Sequence, residues 1–252
     1  MQTKNRRQQV LAALHEKRIV KIRDLAETLA VSSMTIRRDL NRLAEQSIVT
    51  LLHGGAVLNE GSVMIPSVAA REKKALEEKN QLAALCASMV TEGSSVYIDC
   101  GSTAKSIAEA LIDKKNIVIL SHSLPVFNIL SASEAKMIFV PGVYCPQKKG
   151  SYGPLTVDFL QNFQMDIAFL GFSAVQKDIG LMVPDLQDAA VKKALLKKAR
   201  KKVAVIDHSK LDKLSFVKVC DFHEIDTFIT DKPGDPKITA EIRRQGAEVI
   251  LV

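Results

Sequence analysis

The sequence contains no tryptophan and only three tyrosines among 252 residues, and its four cysteines form no CxxC pair. Such cysteine spacing argues against a zinc module, and a disulfide framework is unexpected in a chain long enough for a large core. No run approaches the ~18 to 20 apolar residues of a membrane span, and no apolar segment follows the charged amino terminus. We therefore expect a cytoplasmic protein that makes no contact with a membrane.

Common cofactor motifs are absent as well. The sequence has neither GxGxxG nor GxxxxGK[ST], and its five histidines do not fall at metal-ligand spacings. We therefore expect no cofactor and no bound metal ion. What is present is an ordinary globular composition, with 47% apolar and 25% charged residues, in a length that allows one large domain or two.

The positive charge is concentrated near the amino terminus. Residues 1–57 carry ten lysines and arginines against five acidic residues, a net charge of +5, whereas the remainder carries 25 against 23, a net charge of +2. An anionic partner for this segment is the natural hypothesis, with nucleic acid first, although a solvated basic surface has the same composition.

The pattern of residues 5–57 is typical of three helices followed by a short hairpin. The second and third helices are marked by apolar residues at helical spacing, namely Ile22, Leu25 and Leu29, then Ile36, Leu40 and Leu43. A tight turn at residues 30–32 separates them, and Ser32 or Ser33 can cap the third helix. Two short apolar runs flank Gly54 and Gly55. The sequence thus predicts a winged helix-turn-helix domain over residues 1–57.

The third helix presents a polar face opposite its apolar stripe. At 100° per residue this face carries Met34, Arg38 and Arg42, with Thr35 beside them and Asp39 near the edge. Because the N-terminal half of a recognition helix reaches base edges, Met34, Thr35 and Arg38 are candidates for base contacts. The full set of predicted DNA-binding residues is Ser33, Met34, Thr35, Arg37, Arg38, Arg42 and His53. The alternative is an ordinary basic helix surface.

Residues 58–73 lose apolar periodicity and are predicted to be a linker. From residue 74 to 252 short β-branched runs alternate with helical segments, and seven such runs begin near residues 95, 117, 137, 167, 203, 227 and 249. They lack polar alternation, which favours strands covered on both faces. The predicted second domain is therefore an α/β sensor domain, residues 74–252, with a largely parallel sheet.

Polar and small residues follow several of these strands, where ligands of open α/β sheets collect. A glycine and two hydroxyls at a helix start form an anion cradle, and carboxylates suit sugar hydroxyls, so the pattern indicates a site for a small phosphorylated polyol. The predicted effector-binding residues are Asp99, Gly101, Ser102, Thr103, Ser121, Ser123, Gly142, Ser151, Gly153, Gly171, Asp207 and Lys210. The alternative is a set of turns and helix caps. The basic run at residues 192–202 is interpreted as a solvated helix face.

Together these motifs closely resemble the DeoR family of bacterial transcriptional regulators. The resemblance covers nearly the whole chain and rests on residues 33–40 (SMTIRRDL), 53–56 (HGGA), 99–103 (DCGST), 166–171 (DIAFLG), 180–181 (GL) and 207–210 (DHSK). It implies a winged helix-turn-helix joined to a sensor domain related to ribose-5-phosphate isomerases and CoA transferases. Gly101, Ser102 and Thr103 match the family's phosphate loop, and Lys210 matches its lysine, whereas His122 stands where asparagine is usual.

The resemblance further implies a homo-oligomer, a dimer or a tetramer, that represses a carbohydrate-catabolism operon. It binds a double-stranded DNA operator and leaves it when a phosphorylated sugar effector binds. Two alternatives stay open at this point: a sugar-phosphate isomerase-like enzyme with an accessory DNA-binding domain, and a DNA-binding protein whose α/β domain only oligomerises. An isomerase needs a base, and the polar loop at residues 141–154 has no acidic residue. We therefore expect a regulator with no catalytic residues.

Overall fold

The computed structural model describes residues 3–17, 19–45, 48–58, 75–232 and 236–252. The chain divides into two compact units, Met1–Lys74 and Ala75–Val252. The predicted linker lies outside the described residues except for Leu58, which ends a strand. The mixed α/β fold class is confirmed, with the two units built on different plans.

Among its described residues, the N-terminal unit contains three helices and a three-stranded antiparallel sheet. The helices are α1 (Thr3–Lys17), α2 (Ile22–Thr28) and α3 (Ser33–Glu45), and the strands are β1 (Ile19–Lys21), β2 (Val49–Leu52) and β3 (Gly55–Leu58). The sheet order is β1-β3-β2. The three helices and the hairpin agree with the sequence pattern, whereas β1 was not predicted, because three residues are too few to show a period.

The local chemistry explains the packing of this unit. Ile36 and Leu40 are fully buried, together with Leu14 of α1, so the apolar stripe of α3 does form the core. The helix begins after Ser32, whose Oγ accepts a hydrogen bond from the Thr35 N–H at 3.2 Å. In the sheet, a Cβ on Gly55 would lie 2.2 Å from the Val20 carbonyl oxygen, so only glycine allows β1 to approach β3.

The C-terminal unit is organised around a seven-stranded sheet in which every neighbouring pair is parallel. Its strands are β4 (Ser95–Ile98), β5 (Val118–Ser121), β6 (Lys136–Phe139), β9 (Met165–Leu170), β12 (Ala199–Val205), β14 (Thr227–Thr230) and β15 (Glu248–Leu251). The order across the sheet is β15-β14-β12-β9-β4-β5-β6. All seven predicted strands are present.

Within the described part of this unit, six α-helices accompany the sheet, and smaller strands fill the connections. The helices are α4 (Leu76–Ser88), α5 (Ser102–Ala110), α6 (Leu124–Leu130), α7 (Pro154–Leu160), α8 (Leu186–Lys198) and α9 (Pro236–Arg244). The smaller strands are β7 (Val143–Cys145), β8 (Gly150–Tyr152), β10 (Ala174–Gln176), β11 (Gly180–Val183) and β13 (Val217–Cys220). β7 pairs with β8, and β10, β11 and β13 form an antiparallel sheet. These strands of three or four residues were not predicted.

Both faces of the parallel sheet are buried. Along β4, Tyr97 belongs to the apolar cluster that includes Leu195 of α8, whereas its neighbour Ile98 belongs to the cluster that includes Leu82 of α4. Successive side chains of a strand point to opposite faces, so the central strands contribute to both clusters. This explains the absence of polar alternation in the sequence, and it leaves the carboxyl ends of the strands as the place where polar side chains gather.

Candidate functional site

The polar face of α3 is exposed as its spacing predicts. Met34 is 72% exposed, and Arg37, Arg38 and Arg42 are exposed along the same helix. Thr35 is half-buried, with its hydroxyl 2.9 Å from the Ser32 hydroxyl. Two more predicted contacts, Ser33 at the helix start and His53 in the β2–β3 turn, are exposed as well. The unit therefore offers one cationic helix face and a wing tip to a partner.

Asp39 does not lie at the edge of this face but in the core. It is 1% exposed, and its carboxylate accepts from Arg6 Nε at 2.6 Å and lies 3.5 Å from Arg7 Nε. The hydrogen bond to Asp39 raises the pKa of the Arg6 guanidinium. Two of the ten basic residues of this segment thus hold α3 against α1 through one carboxylate.

In the C-terminal unit, the carboxyl edge of the sheet carries a buried ion-pair network. Asp99 follows β4 and is 1% exposed, and its Oδ2 accepts from the Gly171 N–H at 2.9 Å and from Lys192 Nζ at 2.7 Å. Lys192 also donates to Asp188 Oδ1 at 2.8 Å. The structure thus brings together two predicted residues, Asp99 and Gly171, around a lysine that was not among them.

The interpretation of the basic run as a solvated face is wrong for Lys192, which is 2% exposed. Burial by itself lowers the pKa of this lysine, but the charges of Asp188 and Asp99 outweigh it and hold the pKa above its ordinary value. A signal was present in the sequence, since a helical wheel puts Lys192 about 60° from the apolar Leu195. The neighbours Lys193 and Lys197 are exposed, as expected.

A buried histidine stands beside this network. His122 follows β5, is 0% exposed, and its Nδ1 lies 2.5 Å from Tyr97 Oη. Its ring stacks on Tyr97, with a centroid distance of 6.0 Å, and meets Tyr152 edge-on at 5.0 Å. Burial lowers the pKa of His122 to about 4, so the ring is neutral near pH 7. In the sequence, His122 was noted as a departure from the asparagine usual in the family, and it was not among the predicted effector residues.

The predicted phosphate loop opens α5. Gly101 has φ 137° and ψ −178°, a conformation that side chains rarely adopt, and it turns the chain from β4 into the helix. Ser102 is buried and Thr103 is half-buried. The first backbone N–H groups of α5 lack helical acceptors, so they and the two hydroxyls can bind an anion.

Of the other predicted effector residues, three serines lie near His122, whereas Gly153 opens the helix α7. Near His122, Ser121 Oγ accepts from the Ser123 N–H at 3.1 Å, Ser123 caps α6, and the Ser151 N–H donates to the His122 carbonyl at 2.8 Å. Gly153 opens α7 with φ 109°, and its Cβ position meets no other atom within 4 Å.

The remaining predicted residues have local contacts of their own. A Cβ on Gly142 would lie 2.1 Å from Thr156 Oγ1, so this glycine allows close packing. Asp207 caps the short 3₁₀ helix His208–Lys210, because its carboxylate accepts hydrogen bonds from the backbone N–H and the hydroxyl of Ser209. Lys210, the last residue of that helix, is half-buried.

Three side chains of this unit have the composition of a divalent-ion site. Ligand atoms of Glu78, His208 and Asp231 lie within 4.8 Å of one another. Both oxygens of Asp231 already accept from His208, one from its backbone N–H at 2.6 Å and one from its Nδ1 at 2.5 Å. The spacing rule applied to the sequence could not find this group, because its members lie far apart along the chain.

No helix among the described residues is long and apolar enough to cross a bilayer.

Comparison with known proteins gives two matches to one family. The DeoR-like helix-turn-helix domain matches residues 6–62, and the DeoR C terminal sensor domain matches residues 74–232. The glycerol-3-phosphate regulon repressor of Escherichia coli K12 is 33% identical, over 92% of each chain. The transcriptional repressor CsqR of the same organism is 30% identical, over 98% of this chain and 94% of its own. Among solved structures, ribose 5-phosphate isomerase A of Methanocaldococcus jannaschii aligns with a TM-score of 0.42 and 20% identity, over 56% of this chain and 57% of its own.

Proposed function

The chain belongs to the DeoR family of transcriptional regulators, and we propose that this repressor leaves its operator when a phosphorylated sugar binds to the C-terminal unit. It is a DNA-binding transcriptional repressor and not an enzyme, since its relatives over nearly the full length are repressors. The name of one relative, the glycerol-3-phosphate regulon repressor, fits control by a phosphorylated polyol. The regulated genes would then serve carbohydrate catabolism, in the cytoplasm.

The exposed face of α3 supports its role as the helix that enters the major groove. Arg38 stands on the outward side in the N-terminal half of α3, where side chains reach base edges, and Arg42 stands one turn later, where they reach phosphates. Arg38→Ala should weaken operator binding by ~1–3 kcal/mol and relax the choice of base at one position. Fluorescence anisotropy with the operator and its single-base variants measures this. Exposed Arg23 of α2 supplies the matched control, Arg23→Ala, and equal losses in both variants would remove Arg38 from base recognition.

The observation that carries the effector proposal is the position of the buried Asp99 directly before the Gly101 loop. The start of α5 offers backbone N–H groups and two hydroxyls to a phosphate, while Asp99, immediately before the loop, is an acceptor for a sugar hydroxyl. Lys210 follows β12, two strands from β4, at the same edge of the sheet. Two strand spacings are ~10 Å, a gap that a lysine and a phosphorylated sugar can span together.

A panel of phosphorylated sugars tests this proposal on the complex of the full-length protein with DNA from upstream of its own gene. We expect one sugar phosphate to release the DNA and its unphosphorylated form to fail. Lys210→Ala should keep operator affinity but lose release, whereas the exposed Lys213 supplies the control Lys213→Ala, which should respond as the unaltered protein does. Release of Lys210→Ala at the same sugar concentration would contradict the role of the lysine.

The release also needs an arrangement of subunits that the ligand can change. A ligand releases DNA only if it binds better to a form in which two reading helices are wrongly spaced. We therefore propose a homo-oligomer, a dimer or a tetramer, whose domains are residues 1–57 and 74–252 and whose linker is residues 58–73. Limited proteolysis should cut within this linker, residues 58–73, and light scattering should give more than one chain per particle.

A further inference from the structure

Among the buried side-chain atoms that have no hydrogen-bond partner within the described residues, two directly follow neighbouring strands at the carboxyl edge of the sheet. They are Asp99 Oδ1 and His122 Nε2, on side chains that are 1% and 0% exposed. Buried polar atoms are paired almost everywhere in folded proteins, and leaving one unpaired costs stability. In the proposed function Asp99 accepts from an unspecified sugar hydroxyl, and His122 has no role. The two unpaired atoms therefore remain to be explained.

The strand register places the two side chains next to each other. β4 and β5 pair in parallel with Tyr97 opposite Leu120, and the same register, continued past the ends of both strands, puts Asp99 opposite His122. Residues two apart on a strand lie on the same face, so both share the face that Tyr97 occupies. A Cβ placed on Gly150 would meet both Cys100 Sγ, next to Asp99, at 2.9 Å and His122 Cδ2 at 3.3 Å.

The hydrogen bond to Tyr97 determines which ring nitrogen of His122 carries the proton. If Tyr97 Oη donates to Nδ1, both atoms are satisfied and the proton is on Nε2. The opposite assignment would leave the phenol hydrogen without an acceptor among the described residues. Burial raises the pKa of Tyr97, which keeps its hydrogen in place. His122 Nε2 is therefore an N–H donor for which the described residues provide no acceptor.

Asp99 supplies the complementary group. Its Oδ2 is occupied by Lys192 and Gly171, whereas its Oδ1 is an acceptor that has no donor. Oxygens of a phosphate only accept, and next to Asp99 they would be repelled. A hydroxyl group can accept from His122 and donate to Asp99 at once. The pair is thus suited to an alcohol group and not to a second phosphate.

We propose that one hydroxyl of the effector bridges His122 Nε2 and Asp99 Oδ1, and that this bridge selects phosphorylated polyols that carry the hydroxyl. The inference rests on the proposed function for the class of ligand, and it adds a residue, His122, and a rule of specificity.

The β7–β8 hairpin covers the pair, so the hydroxyl reaches it only when the hairpin shifts. Cys100 Sγ donates to the Lys148 carbonyl at 3.0 Å, and the Ser151 N–H donates to the His122 carbonyl at 2.8 Å. At the tip, Lys148 Nζ pairs with Asp185 Oδ2 at 2.5 Å. Binding therefore exchanges some of these contacts for contacts with the ligand.

Matched ligands that differ by one hydroxyl test the bridge. Calorimetry on the full-length protein compares ribose 5-phosphate with 2-deoxyribose 5-phosphate, glucose 6-phosphate with 2-deoxyglucose 6-phosphate, and glycerol 3-phosphate with 3-hydroxypropyl phosphate. The unaltered protein should prefer the hydroxylated member of one pair by about 10- to 100-fold. His122→Leu should reduce this preference to less than about threefold by weakening only the hydroxylated ligand. His122→Asn, which keeps an N–H donor, should retain part of it, and the exposed His223 supplies the control, His223→Leu.

The outcomes separate this inference from the function it rests on. If no ligand of the panel binds the unaltered protein, the proposed function is wrong and the bridge with it. If the protein binds and discriminates, but His122→Leu discriminates equally well, the bridge is wrong while the proposed function stands. Should His122→Leu fail to fold, His122→Asn and Tyr97→Phe decide, because Tyr97→Phe removes the bond that fixes the proton on Nε2. An unchanged preference in both of these variants would overturn the inference.

Discussion

In the N-terminal unit the arginines of α3 point to solvent, whereas in the C-terminal unit the lysine of α8 is enclosed with two carboxylates. Arg38 and Arg42 are exposed, while Lys192 is 2% exposed and reaches Asp99, 93 residues away along the chain. An exposed cation on a DNA-binding face is available to phosphates outside the protein, and its contribution to binding weakens with salt. A buried cation is tied to partners inside the protein, and it fixes their geometry instead.

The largest test of this contrast is the replacement of Lys192 by methionine. The change leaves Asp99 and Asp188 without their shared cation in the interior, and breaking a buried pair in this way costs about 3–5 kcal/mol of unfolding free energy. Denaturation in urea, followed by circular dichroism, measures the loss.

The neighbouring exposed lysine provides the control for that experiment. Lys193→Met changes the same charge on the same helix, one position away, and should stay within about 0.5 kcal/mol of the unaltered protein. Similar losses in the two variants would mean that helix charge matters and enclosure does not, which would end the contrast between the units.

Much of the fold could be predicted from the sequence because local patterns determine it. The seven parallel strands are apolar runs covered on both faces, and α3 has a clear apolar stripe through Ile36 and Leu40. The sequence did not predict β1 or the short strands β7, β8, β10, β11 and β13 outside the parallel sheet. Gly54 and Gly55 marked the hairpin in the sequence, but the close approach of Val20 that requires glycine at position 55 is visible only in the structure.

The candidate site was predictable only in part, for a related reason. Asp99 and Gly101 follow a strand directly, so the rule that ligands collect at strand ends identifies them. Lys192 lies far from Asp99 along the chain, and the basic residues next to it in the sequence favour a solvated face. The role of His122 depends on which of its atoms remain unpaired, and no sequence pattern shows that. Contacts between distant segments are what sequence reasoning lacked.

A second, smaller test uses pH. Burial lowers the pKa of His122 from the ordinary 6.5 to about 4. Between these pH values the unfolded chain binds a proton at His122 that the folded chain does not bind. The contribution of the neutral ring to the unfolding free energy is therefore fully present above pH 6.5 and is lost as the pH falls toward 4. From pH 7.5 to pH 5 the unaltered protein should lose about 2 kcal/mol more unfolding free energy than His122→Asn.

Urea denaturation at a series of pH values measures this difference. The exposed His223 supplies the control, and His223→Asn should follow the pH profile of the unaltered protein. Parallel profiles for the unaltered protein and His122→Asn would show that the buried ring is not kept neutral. The enclosed polar groups of the C-terminal unit would then not differ in kind from exposed ones.

The smallest expected effect concerns Asp39, the buried carboxylate of the N-terminal unit. Asp39→Asn should release Arg6 and Arg7, which then contact DNA phosphates without regard to sequence. For binding to a scrambled duplex, the slope of log K against the logarithm of the salt concentration should become steeper by about 1–2, since each phosphate contact adds ~0.9 to this slope. At the same time α3 loses a link to α1, so the preference for the operator over the scrambled duplex should fall by about tenfold.

The exposed Asp24 of α2 separates these effects from a simple change of net charge. Asp24→Asn adds the same charge to the same unit but releases neither arginine, so its salt dependence and its preference for the operator should hardly change. Anisotropy titrations of both variants over a range of salt concentrations make the comparison. Equal steepening in the two would mean that only net charge matters. A selective effect of Asp39→Asn would show that an enclosed carboxylate shapes DNA recognition by withholding two cations from the phosphates, so that burial of charge serves function in both units.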